Sequence, residues 1–115
     1  MFGFQESTNY QLFDASVLLK EYTKSIFDFK HETRVQKITK DLVRHKDVNR
    51  TLAYNYILDL GGSNVETCFY NDQLQLTESV IIEANRWHVI NVDVYHNVKN
   101  VTGSRIALTV HIPLK

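Results

Sequence analysis

The apolar positions change their spacing partway along the chain. In "DASVLLKEYTKSIFDF" (14–29), Leu18, Leu19, Tyr22, Ile26 and Phe29 recur at steps of three and four, the period of a helix, and Asp14 stands where it could cap the start. "RVQKITKDLV" (34–43) fits either a short helix or a strand. From about Leu42 the period shortens to two. "TLAYNYILDL" is rich in aromatic and β-branched residues and stops at Gly61-Gly62, while "VETCFYN" stops at Asn71-Asp72. "QLQLTESVIIE", "RWHVINVDV" and "YHNVKNV" alternate, Gly103-Ser104 makes a turn, and "RIALTVHIP" closes the series. One helix followed by six to eight short strands predicts a mainly β domain, a sandwich or barrel. If "NVDVYHNVKNV" is extended throughout, Val92, Val94, His96 and Val98 share one face. That puts a histidine on the apolar side of its strand, where something must satisfy its ring.

A chain of 115 residues accommodates one packed core, so residues 1–115 are read as a single domain. Thirteen basic residues balance thirteen acidic ones, leaving no net field to attract nucleic acid or an anionic membrane. The single cysteine, Cys68, rules out an intrachain disulfide and an all-cysteine metal site. It reads as a small packed residue. No apolar run approaches the roughly 18 residues of a membrane span, and "MFGFQESTNY" lacks the pattern of a signal peptide. A cytoplasmic protein without membrane association is the expectation.

Candidate chemistry sits in "RHKDVNR" (44–50) and beyond. His45 and Asp47 are two apart and share a side of an extended segment, and His96 follows after 48 intervening residues. Two histidines and one carboxylate on one face of an octahedral ion leave three positions open, the arrangement of non-heme Fe(II) oxygenases. Those positions admit a chelating 2-oxo acid and then dioxygen. The far carboxylate of such an acid needs a cation, and Arg105, nine residues after His96 and just past a Gly-Ser turn, is placed to supply one. Each of these residues is commonplace alone; their order and spacing on strands carry the signal.

"HKD" (45–47), His96 within "YHNVKN" and Arg105 within "SRIALTV" resemble the motifs of the Fe(II)/2-oxoglutarate-dependent oxygenases. The likeness is to small aspartyl/asparaginyl- and prolyl-hydroxylase-like members, some of them phage-encoded, and covers roughly residues 42–112. The resemblance implies a double-stranded β-helix, a jelly-roll or cupin-like sandwich, here with one N-terminal helix. It implies iron bound by His45, Asp47 and His96, and Arg105 on the C5 carboxylate of 2-oxoglutarate. It also implies a hydrogen bond to that co-substrate from Tyr54, Asn55 or Tyr56, with strand parity leaving the choice open. Two departures stand out: only 44 residues precede His45, and Ile106-Ala107 offers no second polar partner for the co-substrate.

The activity implied is hydroxylation of a C–H bond coupled to oxidative decarboxylation of 2-oxoglutarate. The substrate class is open between a protein side chain, a nucleobase and a small metabolite. The alternatives are a non-catalytic jelly-roll interaction module and a cupin-like enzyme using another metal. Dimerisation would cover a sheet face that so small a helical region leaves bare. Of the other histidines, His88 shares parity with Ile90 and Val92 and is expected to support a ligand; His111 is expected at the rim and His31 in a loop. Trp87, Phe69 and Tyr70 are expected to pack the sheets.

Overall fold

The computed structural model describes residues 10–46 and 52–112. Its elements run β1 (Tyr10–Asp14), α1 (Val17–Ile26), β2 (Glu32–Ile38), β3 (Leu42–His45), β4 (Leu52–Asp59), β5 (Glu66–Tyr70), β6 (Leu76–Val80), β7 (Trp87–Asn91), β8 (Tyr95–Lys99) and β9 (Arg105–His111). The domain is mainly β, as the alternation predicts. Two antiparallel sheets form, with strand orders β1-β2-β9-β4-β7 and β3-β8-β5-β6.

The pairing is nested. β5 pairs β6, β4 pairs β7, β3 pairs β8 and β2 pairs β9, each pair enclosing the one before it in sequence. β9 also joins β4, and β8 joins β5, which completes the sheets. Apart from the β5–β6 hairpin, consecutive strands from β2 to β9 lie in opposite sheets. Two continuous-looking stretches of sequence are therefore broken. "RVQKITKDLV" divides between β2 and β3, and "RWHVINVDVYHNVKNV" divides between β7 and β8. Val92 is still buried, but Val94 turns outward at the crossover, so the extended face expected through residues 92–98 holds only from Tyr95 onward.

The helix is shorter than its apolar period. Ser16, not Asp14, caps it, accepting a hydrogen bond from the Leu19 N–H at 3.3 Å. Asp14 instead ends β1 and pairs with Lys20 at 3.1 Å and Arg34 at 3.4 Å. Most of the periodic apolar face points outward: Leu18 is 79% exposed, and Tyr22 and Ile26 are also exposed, while Leu19 and Phe29 are half-buried. α1 is held by its one buried residue, Thr23, whose hydroxyl meets that of Thr33 on β2 at 2.7 Å.

Between the sheets the core falls into two apolar clusters, one around Ile38, Leu42, Val65 and Val98 and the other around Ile57, Ile82 and Ala107. The buried polar residues Asn55, Thr67, His96, Arg105 and Thr109 line a cavity whose walls draw on both clusters. Burying polar groups costs free energy unless each is paired, so this polar interior is where a site is to be sought.

Candidate functional site

His45 ends β3 and His96 lies near the start of β8, where the register places them directly opposite each other. Their ring centres are 4.4 Å apart. In each ring Nδ1 contacts the backbone carbonyl two residues earlier: His45 to Val43 at 2.8 Å, His96 to Val94 at 2.7 Å. A carbonyl only accepts, so each Nδ1 donates, which in a neutral ring leaves the lone pair on Nε2. This carbonyl-to-imidazole bond is the usual support of a metal-ligating histidine, fixing its tautomer and raising its basicity. The spacing also fits. Two imidazoles at right angles on one ion, each bound at about 2.1 Å, would have ring centres about 4.5 Å apart. Lys46, next in the chain, lies 4.9 Å from the centre of the Tyr95 ring and ties the end of β3 to β8.

Asp47 lies outside the described residues, and among the described residues no three His, Cys, Asp or Glu side chains converge. The structure thus brings together two members of the expected triad, on the two strands expected of them.

Arg105 opens β9 and lines the same cavity as His45 and His96. It is only 5% exposed, and burial pushes its guanidinium down to about 10. Among the described residues its side chain has neither a carboxylate partner nor a hydrogen bond. A buried cation without a counter-ion is costly and marks a place for an anion. Its position is set by the loop after β4. The backbone N–H groups of Thr102 and Gly103 both donate to the Gly61 carbonyl at 2.8 Å, and the Gly61 N–H donates to Asp59 Oδ1 at 3.0 Å. This clasp holds the turn that leads into Arg105.

Of Tyr54, Asn55 and Tyr56 on β4, only Asn55 reaches the cavity. Ala53, Asn55 and Ile57 are the buried positions of the strand, and Asn55 lines the cavity. Tyr54 and Tyr56 have the opposite parity. Tyr54 packs on Phe27 and Phe29, and Tyr56 packs on Trp87, in an aromatic layer outside the five-stranded sheet. A residue the sequence reading passed over joins them: Thr67 of β5, which shares parity with the buried Val65. Asn55 Oδ1 and Thr67 Oγ1 are fully buried with no hydrogen-bond partner among the described residues. Two orphaned polar atoms beside an uncompensated guanidinium make a pocket for a polar ligand.

The other histidines divide. His111 is buried, not at the rim, because β9 is the central strand of its sheet; its Nε2 lies 3.1 Å from Thr109 Oγ1. His88 contacts the Glu83 carbonyl at 2.9 Å through Nε2 and does not line the cavity of the histidine pair. His31 precedes β2 and bridges Phe29 and Thr23. Cys68 is packed against Ser79. No helix among the described residues is long and apolar enough to cross a membrane. No protein-family model matches the chain, and no curated protein matches it.

Proposed function

We propose that this chain is an Fe(II)- and 2-oxoglutarate-dependent oxygenase on a double-stranded β-helix, hydroxylating a C–H bond of its substrate. The nested pairing of β2–β9 supports the jelly-roll reading, since a ribbon folded back on itself and rolled into two sheets has that order. The single observation that carries the function is the cross-strand pair His45–His96, 4.4 Å apart, lining one cavity with an uncompensated buried arginine.

His45 and His96 would hold the ion through Nε2, with Asp47 supplying the charge-balancing carboxylate. Arg105 binds and orients the C5 carboxylate of 2-oxoglutarate, its fork giving two parallel hydrogen bonds. The Thr67 hydroxyl donates to the same carboxylate, and the Asn55 amide completes the polar lining, in place of the partner missing at Ile106-Ala107. Ile38, Val92 and Val98 give the cavity its apolar walls. A bound Fe(II) supplies dioxygen activation, in which 2-oxoglutarate is oxidised to succinate and carbon dioxide and one oxygen atom enters the substrate.

The cavity itself measures about 50 Å³. That is room for an ion and a few waters and tight for a five-carbon diacid, which favours a second reading: the same side chains in a cupin-like enzyme using another metal or in a non-catalytic binding module. Titration of metal-free protein with Fe(II) and then 2-oxoglutarate separates the two. The oxygenase shows a weak visible charge-transfer band and forms succinate in air, and Asp47→Ala and His96→Ala abolish both. Succinate formation at an unchanged rate in either variant would refute the assignment.

A further inference from the structure

We propose that the cleft between β6 and β7 binds an extended polypeptide segment as an added strand and presents one of its side chains to the histidine pair. The fate of that side chain rests on the oxygenase reading; the binding does not.

β6 pairs only with β5, and β7 only with β4, so each is the last strand of its sheet and presents an open edge. A cleft of about 540 Å³ lies between them, within the size range of ligand sites. Its lining includes four consecutive residues of β7, His88 to Asn91, and the neighbours Thr77 and Glu78 of β6. Successive strand residues point to opposite faces. A cleft that meets both parities therefore runs along the strand edges, where backbone N–H and C=O groups are presented, and not over one face. Natural sheets protect such edges with charges or proline. "WHVIN" has neither, and its central Val89 is 54% exposed. An uncharged open edge beside a cleft is the geometry of strand addition.

The cleft adjoins the site. Phe69, in its wall, is the register partner of His96, with ring centres 6.3 Å apart. Ile82 and Ile90 line both the cleft and the inner cavity. Charge narrows the occupant further. Glu78 is the only Asp, Glu, Lys or Arg in the lining, and it makes no ion pair among the described residues. Nearby Arg44 packs over the Tyr70 ring and donates to the Leu74 carbonyl. The matching segment is extended and carries lysine or arginine to face Glu78.

The test uses the metal-free 115-residue chain and an acetylated, amidated decapeptide alternating threonine and lysine around a central valine. Two copies accompany it, one N-methylated at alternate residues and one with every lysine replaced by glutamate. The peptide is expected to slow amide exchange within residues 88–91 more than tenfold, with both copies binding at least tenfold more weakly. Glu78→Lys, on an exposed strand position, is expected to reverse the preference between lysine and glutamate peptides. Unchanged exchange on β7, or equal binding of the N-methylated copy, overturns the proposal. So does concentration-dependent protection of the same amides without peptide, which would show a second copy of the chain on that edge. Because iron is absent, a failure of 2-oxoglutarate turnover does not alter these outcomes, and failed peptide binding leaves succinate formation as a separate measurement.

Discussion

A Cβ atom placed on Gly61 would lie 2.8 Å from the Cβ of Arg105. Gly61 also has φ +78°, a backbone region that costs an L side chain roughly 1 kcal/mol. Gly61→Ala is therefore expected to destabilise the fold by about 1–3 kcal/mol and to weaken 2-oxoglutarate binding, while Fe(II) binding at the histidines is retained. Gly103→Ala is the comparison: its added Cβ would meet nothing closer than 3.7 Å, so stability and co-substrate affinity should change little. Thermal melts and paired metal and co-substrate titrations read both.

Arg105→Met removes a buried charge and keeps much of the volume. Replacing an uncompensated buried ion with an apolar side chain is expected to be neutral or stabilising, by up to a few kcal/mol, whereas 2-oxoglutarate affinity should fall by a hundredfold or more. In the wild type, 2-oxoglutarate at a hundred times its dissociation constant should stabilise the metal-loaded fold by about 2.7 kcal/mol, and the variant should lose that shift. Denaturant melts with and without the acid measure both. A strongly destabilised Arg105→Met would mean that the guanidinium has a structural partner.

Thr67→Val is nearly isosteric and deletes an orphaned hydroxyl. Removing a buried donor that has no partner should stabilise the protein by about 1 kcal/mol, and the KM for 2-oxoglutarate should rise severalfold with little change in kcat. A loss of stability would show that the hydroxyl is satisfied in the folded protein.

Asp14 and Ser16 separate two explanations of how α1 begins. Ser16→Ala should cost about 1 kcal/mol, as loss of a helix cap does. The Asp14 carboxyl is held below its ordinary value, chiefly by its hydrogen bond to Lys20 and then by the charges of Lys20 and Arg34. A carboxyl lowered on folding contributes stability above its unfolded value and loses it as pH falls through the folded one. Asp14→Asn should flatten that acid limb and leave the neutral-pH helix signal by circular dichroism unchanged. Salt should shrink the effect, since the pair is exposed.

Most strands were readable because alternation is local. β4 and β8 bury alternate residues, and His96 faces the interior through that period. The burial of Arg105 does not follow from alternation, because β9 is central in its sheet and buried on both faces. β1 was missed because its five residues, "YQLFD", precede an apolar helical period that claimed Asp14. The outward turn of Leu18 and Tyr22 was equally hidden: period predicts a helix, but which face is covered depends on what packs there, and Thr23 is what meets β2.

The sequence by itself determined the strand texture, the inward parity of His96 and the order His45, His96, Arg105. Only the tertiary structure decided that the two imidazoles are cross-strand partners 4.4 Å apart, that Asn55 and not Tyr54 or Tyr56 meets the cavity, and that β6 and β7 are left as open edges. The physical reason is range. Parity is set by bonds along one strand, whereas pairing joins segments some fifty residues apart and depends on which edges the nested ribbon brings together.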